Sequence, residues 1–187
     1  KVFLLEDCVP NVVKHIDLLL SKTTHLMIKL SPLLDIHSAV KSLKCVREIH
    51  VVAHLNEVKE LLLIIEKGYT GAMRIKTVNF NKNDVDHFEA AYPSLATSNY
   101  SYPKTYLYEP NAAILKAGLF NEVSSQLNLF KLHVNSHLYT SDSLIPFPGR
   151  RFRIIGSFKY HPKEIKKNFT EKKANITIRN FHETVAQ

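Results

Sequence analysis

The sequence predicts an α/β chain, with a mostly parallel sheet covered by helices on both faces and a small α+β domain behind it. Two patterns carry that prediction. Over residues 1–81, short runs rich in Val, Ile and Leu alternate with segments whose apolar residues recur at helical spacing. After a stretch rich in Pro, Ser and Asn, the chain resumes with one long helical period and several shorter strand-like runs. Its 187 residues, 45% apolar and 22% charged, suit one good-sized or two small globular domains and exclude a disordered chain.

The first domain in this reading is 1–81. Residues 1–5 form an apolar run of strand character that ends in Glu6-Asp7. Val12, Val13, Ile16, Leu19 and Leu20 fall on one helical face, with Pro10 near its start. Residues 25–30 make the next strand, closed by Ser31-Pro32. Leu33, Ile36, Val40 and Leu43 then recur at helical spacing, and Asp35 or Ser31 caps that helix. A strand over 48–54 follows. Asn56 is placed to cap a helix with Val58, Leu61, Leu62 and Ile65 as its buried stripe, stopped by Gly68. Residues 73–80 read as the last strand. Strands separated by helices of this length argue for parallel neighbours.

Residues 82–104 keep no apolar period around Pro93 and Pro103, which predicts a linker with one short helix over 85–91. The second domain, 105–187, opens near Tyr106. Asn111 caps a helix with Leu115, Leu119, Phe120, Val123 and Leu127 on one side. Strands are predicted near Leu132 and Leu138, then a turn over 146–149 and a strand over 151–160. His161-Pro162 begins a short basic helix, and 175–181 alternates as a final strand.

Several function classes fall away. Two cysteines, Cys8 and Cys45, cannot build a disulfide scaffold or a four-cysteine zinc site, and they suit a reducing compartment. No apolar run approaches the ~18 residues of a membrane span, and no stretch resembles a signal peptide. A cytoplasmic location without a membrane partner is therefore expected. His50 and His54 share a strand face, but four strand residues span roughly 13 Å, too far for one ion. His133 and His137 suit a metal only on a helix, which their surroundings disfavour, so no metal is expected. There is no Gly-x-Ser-x-Gly elbow, and neither cysteine has a catalytic signature around it. Because residues 2–5 read as a strand already under way, the chain is expected to be a piece of a longer protein.

Charge gives the most direct pointer to a partner. From Arg150 onward there are ten Lys or Arg against three carboxylates, so the last 38 residues hold +7 of the net +8. Such a concentration points to a polyanion. Arg150, Arg151 and Arg153 alternate with Phe152, which predicts arginines on one strand face and Phe152 packed inward. Lys163, Lys166 and Lys167 fall on one short helix, and Lys172 and Lys173 follow. Phe147, Phe158, Tyr160, Phe169 and Phe181 are interleaved. A surface of this kind gives salt-dependent binding to nucleic acid, while the bland alternative is a solvated basic face over core aromatics.

Leu5-Glu6-Asp7-Cys8-Val9-Pro10, Lys29-Leu30-Ser31-Pro32-Leu33-Leu34-Asp35 and Asn56-Glu57-Val58-Lys59-Glu60-Leu61-Leu62 resemble the later part of an uncharacterised bacterial family of class I S-adenosylmethionine-dependent methyltransferases. Tyr106-Leu107-Tyr108-Glu109-Pro110-Asn111-Ala112-Ala113-Ile114, Tyr139-Thr140-Ser141-Asp142 and Arg151-Phe152-Arg153 look like the THUMP-like domain that follows in that family. The resemblance implies that 1–81 is the later half of a Rossmann-like methyltransferase sheet and that 105–187 positions the substrate, with RNA as the partner. It also implies S-adenosylmethionine as the cofactor of the full-length protein. The family's glycine-rich loop, its ribose-binding acid and its Asp-Pro or Asn-Pro motif lie earlier in the domain, and glycine occurs in the first 80 residues only at 68 and 71. Neither position joins a strand to a helix, so this chain alone is expected to bind no cofactor and to be inactive, with the catalytic residues upstream of Lys1.

Glu6, Asp7 and Asn11 follow one predicted strand, and Lys29, Ser31 and Asp35 follow the next, where open α/β sheets place ligands. They are the candidate lining of a substrate cleft, and capping of the adjacent helices is the competing role. Glu109-Pro110-Asn111 is read as the start of a helix, with the acid suited to its positive end. Two rival functions stay open: a non-catalytic nucleic-acid-binding or assembly module, and a small-molecule methyltransferase with an incidental basic tail.

Overall fold

The computed structural model describes residues 4–169 and 173–179. They divide into two compact units. One takes the chain up to Ala96 together with Asn111–Glu122, and the other takes Thr97–Pro110 and the residues from Val123 onward. These limits differ from the predicted 1–81, 82–104 and 105–187. The stretch read as a linker holds two strands, and the helix after Asn111 joins the first unit. Among the described residues, no helix is long and apolar enough to cross a membrane.

The first unit begins with a single 3-10 turn, Leu5–Asp7, that buries Leu5 where the apolar run predicts a strand. Residues 1–3 of that predicted strand lie outside the described part. Helix α1 (Val12–Lys22) buries Ile16 and Leu20, strand β1 is His25–Leu30, and α2 is Ile36–Ser42. Strands β2 (Val46–His54), β3 (Glu57–Glu66), β4 (Met73–Phe80) and β5 (Val85–Tyr92) complete a sheet of order β1-β3-β2-β4-β5.

Two helices predicted here are strands. The run Leu61 to Ile65 is apolar throughout and satisfies either period, so the preceding turn decides. Leu55 and Asn56 both have positive φ, 50° and 65°, and His54 pairs with Glu57. That is a two-residue hairpin of the type whose twist matches the flanking strands. β3 accordingly buries Leu61, Leu63 and Ile65 and pairs antiparallel with both β1 and β2. In β5 only Phe88 and Ala90 are buried, because it is an edge strand with one partner, and two apolar positions leave little alternation to see.

These changes also overturn the parallel sheet. Only β2 and β4 run parallel, and the other three pairs are antiparallel. A two-residue turn cannot make the crossover that parallel neighbours require. Only one face of the sheet is fully buried: β2 buries Val46, Ile49, Val51 and Ala53, while Glu48, His50 and Val52 are half-buried.

Leu55 occupies the left-handed region with a side chain that is half exposed. A branched-chain residue there costs about 1 kcal/mol that asparagine largely avoids. Leu55→Asn is expected to stabilise the unit by about 0.5–1 kcal/mol, raising its melting midpoint by roughly 2–4 °C. Hydrogen exchange at the amides of β2 and β3 checks this, and weaker protection would show that the leucine contacts outweigh the turn strain.

Asn111 caps a helix as predicted, its side chain accepting from the Ile114 N–H at 3.1 Å. The helix is shorter than predicted: α3 (Ala112–Ala117) stops at Gly118, whose φ of 71° suits glycine, and α4 (Phe120–Gln126) follows. Ala113, Ile114 and Ala117 are buried, and α3 lies against β2, β3 and β4. A polar cluster ties this helix to the sheet turns. Asn79, 2% exposed, accepts from the Asn56 N–H at 3.0 Å and donates to Asn81 at 2.8 Å and Asp86 at 3.2 Å. Asn111 donates to the same Asp86 oxygen at 3.3 Å, and Asn56 accepts from the Ala112 N–H at 2.7 Å.

The second unit has a five-stranded sheet. Its strands are β6 (Asn99–Tyr100), β7 (Tyr106–Pro110), β8 (Phe130–Lys131), β9 (Tyr139–Ser141) and β10 (Gly149–Arg153), in the order β10-β7-β9-β8-β6. All pairs are antiparallel except β6 with β8. Tyr108, Tyr139 and Phe147 form its aromatic core, with ring centroids 5.1 Å and 6.5 Å from Phe147. β10 ends at Arg153 instead of residue 160 because its partner β7 begins at Tyr106, directly opposite. The basic helix α5 (Pro162–Asn168) forms where predicted, with His161 accepting from the Lys163 N–H at 3.2 Å. Residues 175–179 are not a strand, and residues 180 and 181 of that prediction lie outside the described part.

Candidate nucleic-acid interface

The cleft candidates of the first unit sit at two places, each with local partners. Glu6 and Asp7 lie on the exposed 3-10 turn. Asn11 accepts from the Lys14 N–H at 3.1 Å as the cap of α1 and donates to the Glu6 carbonyl at 3.0 Å, which joins it to that turn. Lys29 is exposed on β1 in an ion pair with Glu60 at 2.6 Å, Ser31 accepts from the Leu33 N–H at 3.3 Å, and Asp35 caps α2 through Ser38 N–H at 2.7 Å. Capping thus accounts for Asn11 and Asp35.

The histidines are also placed. His50 shares a hydrogen bond of 2.8 Å with Glu48, and Lys76 donates to the same oxygen at 2.9 Å. Those bonds, His50 first, hold the Glu48 carboxyl below the usual range. His133 accepts from the Asn135 N–H at 3.1 Å. In the second unit, burial pushes the Lys131 amine down, and burial together with the Lys131 charge does the same to His137. Among the described residues, no group of three or more His, Cys, Asp or Glu is arranged to hold a metal.

The basic end carries the remaining sequence-predicted residues, on β10, on α5 and after it. Strand alternation divides the arginines of β10: Arg151 and Arg153 share one face with Tyr108 and Tyr106, while Arg150 and Phe152 share the other with Glu109 and Leu107. The single arginine face is therefore corrected to two, and Phe152 does not pack inward, being 43% exposed with the Arg150 guanidinium 5.5 Å from its ring centre. On α5, Lys163, Lys166 and Lys167 are exposed, as is Lys173, whereas Lys172 lies outside the described residues. Among the described residues, Arg151, Arg153, Lys163, Lys166, Lys167 and Lys173 form no ion pair. The interleaved aromatics divide as well. Phe147 is core, Phe158, Tyr160 and Phe169 are exposed, and Phe181 lies outside the described part. Along the chain, exposed rings alternate with exposed basic residues, and single-stranded nucleic acid binds through such groups, phosphates to charges and bases to rings.

Sequence reasoning missed Glu109. It does not serve the positive end of a helix. It is buried on β7, with one carboxylate oxygen held by Arg150 and the other by Arg179. A pocket of about 350 Å³ opens beside it, lined by Leu107, Glu109, Leu138, Arg150, Phe152, Asn175, Thr177 and Arg179. Arg179 is 70 residues from Glu109 in the chain, so no local pattern announces the pairing.

Comparison with known proteins gives two matches. A family described as a ferredoxin-like domain matches residues 106–148. A crystal structure of a protein from Porphyromonas gingivalis W83, described as a "putative methyltransferase", is similar over 89% of this chain, with 34% sequence identity and a TM-score of 0.81. The chain spans 44% of that protein's length. No curated protein matches the chain. This is a mixed α/β chain, similar over residues 106–148 to a ferredoxin-like domain and over most of its length to part of that protein. The similarity covers 89% of this chain.

Proposed function

We propose that the chain is part of a class I S-adenosylmethionine-dependent methyltransferase acting on RNA, with its second unit, THUMP-like in role, holding the substrate. The observation that carries the reading is the similarity to the P. gingivalis protein across 89% of the chain. The RNA half of the proposal is supported by the free cations and exposed aromatics between Arg151 and Lys173. In methyl transfer much of the catalysis is positioning of the acceptor, and binding and orientation are what these residues supply.

The described residues do not fit the cofactor's cradle. The turn from β1 to α2 contains no glycine, and the Ser31 hydroxyl and one Asp35 carboxylate oxygen accept from main-chain N–H groups. Gly68 and Gly71 fall between two strands, β3 and β4. We propose that the S-adenosylmethionine site lies outside this chain, which spans 44% of the similar protein's length.

The test is fluorescence anisotropy of the chain with structured transfer-type RNA and with duplex DNA at two salt concentrations. Reversing the charges of Arg151, Arg153, Lys166 and Lys167 together is expected to weaken RNA binding roughly 10–50-fold and to flatten its salt dependence. Equal affinity for both polymers, unaffected by the reversal, would remove RNA from the proposal. Methylation by this chain alone would overturn the division of labour between its residues and the rest of the protein.

A further inference from the structure

The pocket beside Glu109 is built for something more specific than a polyanion backbone. Two guanidiniums converge on one buried carboxylate, so the site keeps a net positive charge. Both arginines remain about half exposed, 55% and 42% at the side chain. Arginine has five N–H donors in a rigid fork. Arg150 gives one to Glu109, while Arg179 gives one to Glu109 and one to the Ile178 carbonyl at 2.9 Å. The N–H donors not used in these bonds are of the kind that hold a phosphate or carboxylate. Against this charged rim stand Leu107, Leu138 and the half-exposed ring of Phe152, with Asn175 and Thr177 supplying polar atoms.

We infer that this pocket binds one nucleoside monophosphate unit, its phosphate on Arg150 and Arg179 and its base against Phe152. The inference deepens the RNA reading and rests on it for the polymer, while the pocket itself is testable on free nucleotides. A volume near 350 Å³ lies at the small end of ligand pockets, which suits one nucleotide and not two. Glu109 acts as a positioning residue, fixing both guanidiniums so that their outer edges face the same ligand. An anion alone would need no apolar wall, and a base alone would need no surplus cation.

The experiment is a titration of the whole chain with AMP, CMP, GMP, UMP and inorganic phosphate, followed by backbone amide NMR shifts. Phe152→Ala and Arg179→Gln serve as variants, the first at an exposed position that leaves the core intact. At least one monophosphate is expected to shift amides around the pocket and to bind about tenfold tighter than phosphate, a difference of ~1.4 kcal/mol. Phe152→Ala should weaken that nucleotide at least several-fold and leave phosphate unchanged, and Arg179→Gln should weaken both. Equal affinity for phosphate and nucleotides, no effect of Phe152→Ala, or no pocket shifts would each overturn the inference. The RNA anisotropy measurement separates the two readings. RNA binding without monophosphate binding sinks the pocket and spares the RNA proposal. Monophosphate binding without RNA binding keeps the pocket and makes free nucleotide its ligand.

Discussion

Replacing Tyr108 by alanine is expected to destabilise the second unit by about 4 kcal/mol, and replacing it by phenylalanine by only about 1–2 kcal/mol. The tyrosine is fully buried on the central part of the β10-β7-β9 sheet, with its ring 5.1 Å from that of Phe147. Its hydroxyl donates to the Ser143 carbonyl at 2.6 Å, accepts from the Ile145 N–H at 3.2 Å and shares a hydrogen bond with Ser141 at 3.3 Å. Alanine therefore removes the ring and leaves the Ile145 N–H without its partner, while the Ser141 hydroxyl and the Ser143 carbonyl keep only their bond to each other. Phenylalanine keeps the ring and removes only the anchor for the loop. Because the chain has two units, a single melting curve does not isolate the effect. Hydrogen exchange at the amides of β7 and β9 does. A loss under about 1 kcal/mol for Tyr108→Ala would show that the unit is held elsewhere.

The segment around Tyr108 also shows what the sequence made legible. Tyr106 to Asn111 lies within the stretch that carries the family resemblance, and three of its residues have separate physical roles. Tyr108 anchors the aromatic core, Glu109 fixes two arginines, and Asn111 caps α3 while bonding Asp86. Only the cap was readable from local pattern, because a cap satisfies N–H groups within three residues. Glu109 finds its partners 41 and 70 residues away, across strand pairing that no sequence window contains.

The same division runs through the fold. α1, α2, β1, β2, β4 and α5 were legible because each couples a clear period to a cap or breaker. β3 was not, since five consecutive apolar residues fit a helix stripe as well as a strand, and the deciding signal was a hairpin turn made by Leu55-Asn56 in place of the usual Asn-Gly. β5 was hidden because an edge strand needs few buried residues. The charge at the end of the chain was read correctly as a concentration, but composition cannot say which face each arginine takes. Strand alternation from Gly149 onward settles that, placing Arg150 with the pocket and Arg151 with Arg153 on the opposite face.

In the first unit, Asn79→Leu is expected to cost about 3 kcal/mol, although leucine is close to asparagine in shape and the site is buried. The amide satisfies three groups at once: the Asn56 N–H, the Asn81 side-chain oxygen and the Asp86 carboxylate. An apolar side chain leaves the turn N–H without its partner and the carboxylate with fewer donors, and each such loss costs ~1–3 kcal/mol when buried. Thr77→Val is the control on the same strand, because Thr77 is equally buried and makes one hydrogen bond, to the Phe88 carbonyl at 3.0 Å. It should cost about 1 kcal/mol. The cluster further predicts coupling at a distance in sequence. Asn111 reaches the same Asp86 oxygen from the start of α3, so Asn79→Leu and Asn111→Ala should be non-additive by about 1 kcal/mol in a double-mutant cycle. Additive effects would mean that Asp86 is held independently by each amide. A non-additive result would place the docking of α3 and the β2–β3 hairpin under one shared carboxylate, which explains how a helix that follows β7 in the chain is built into the first unit's core.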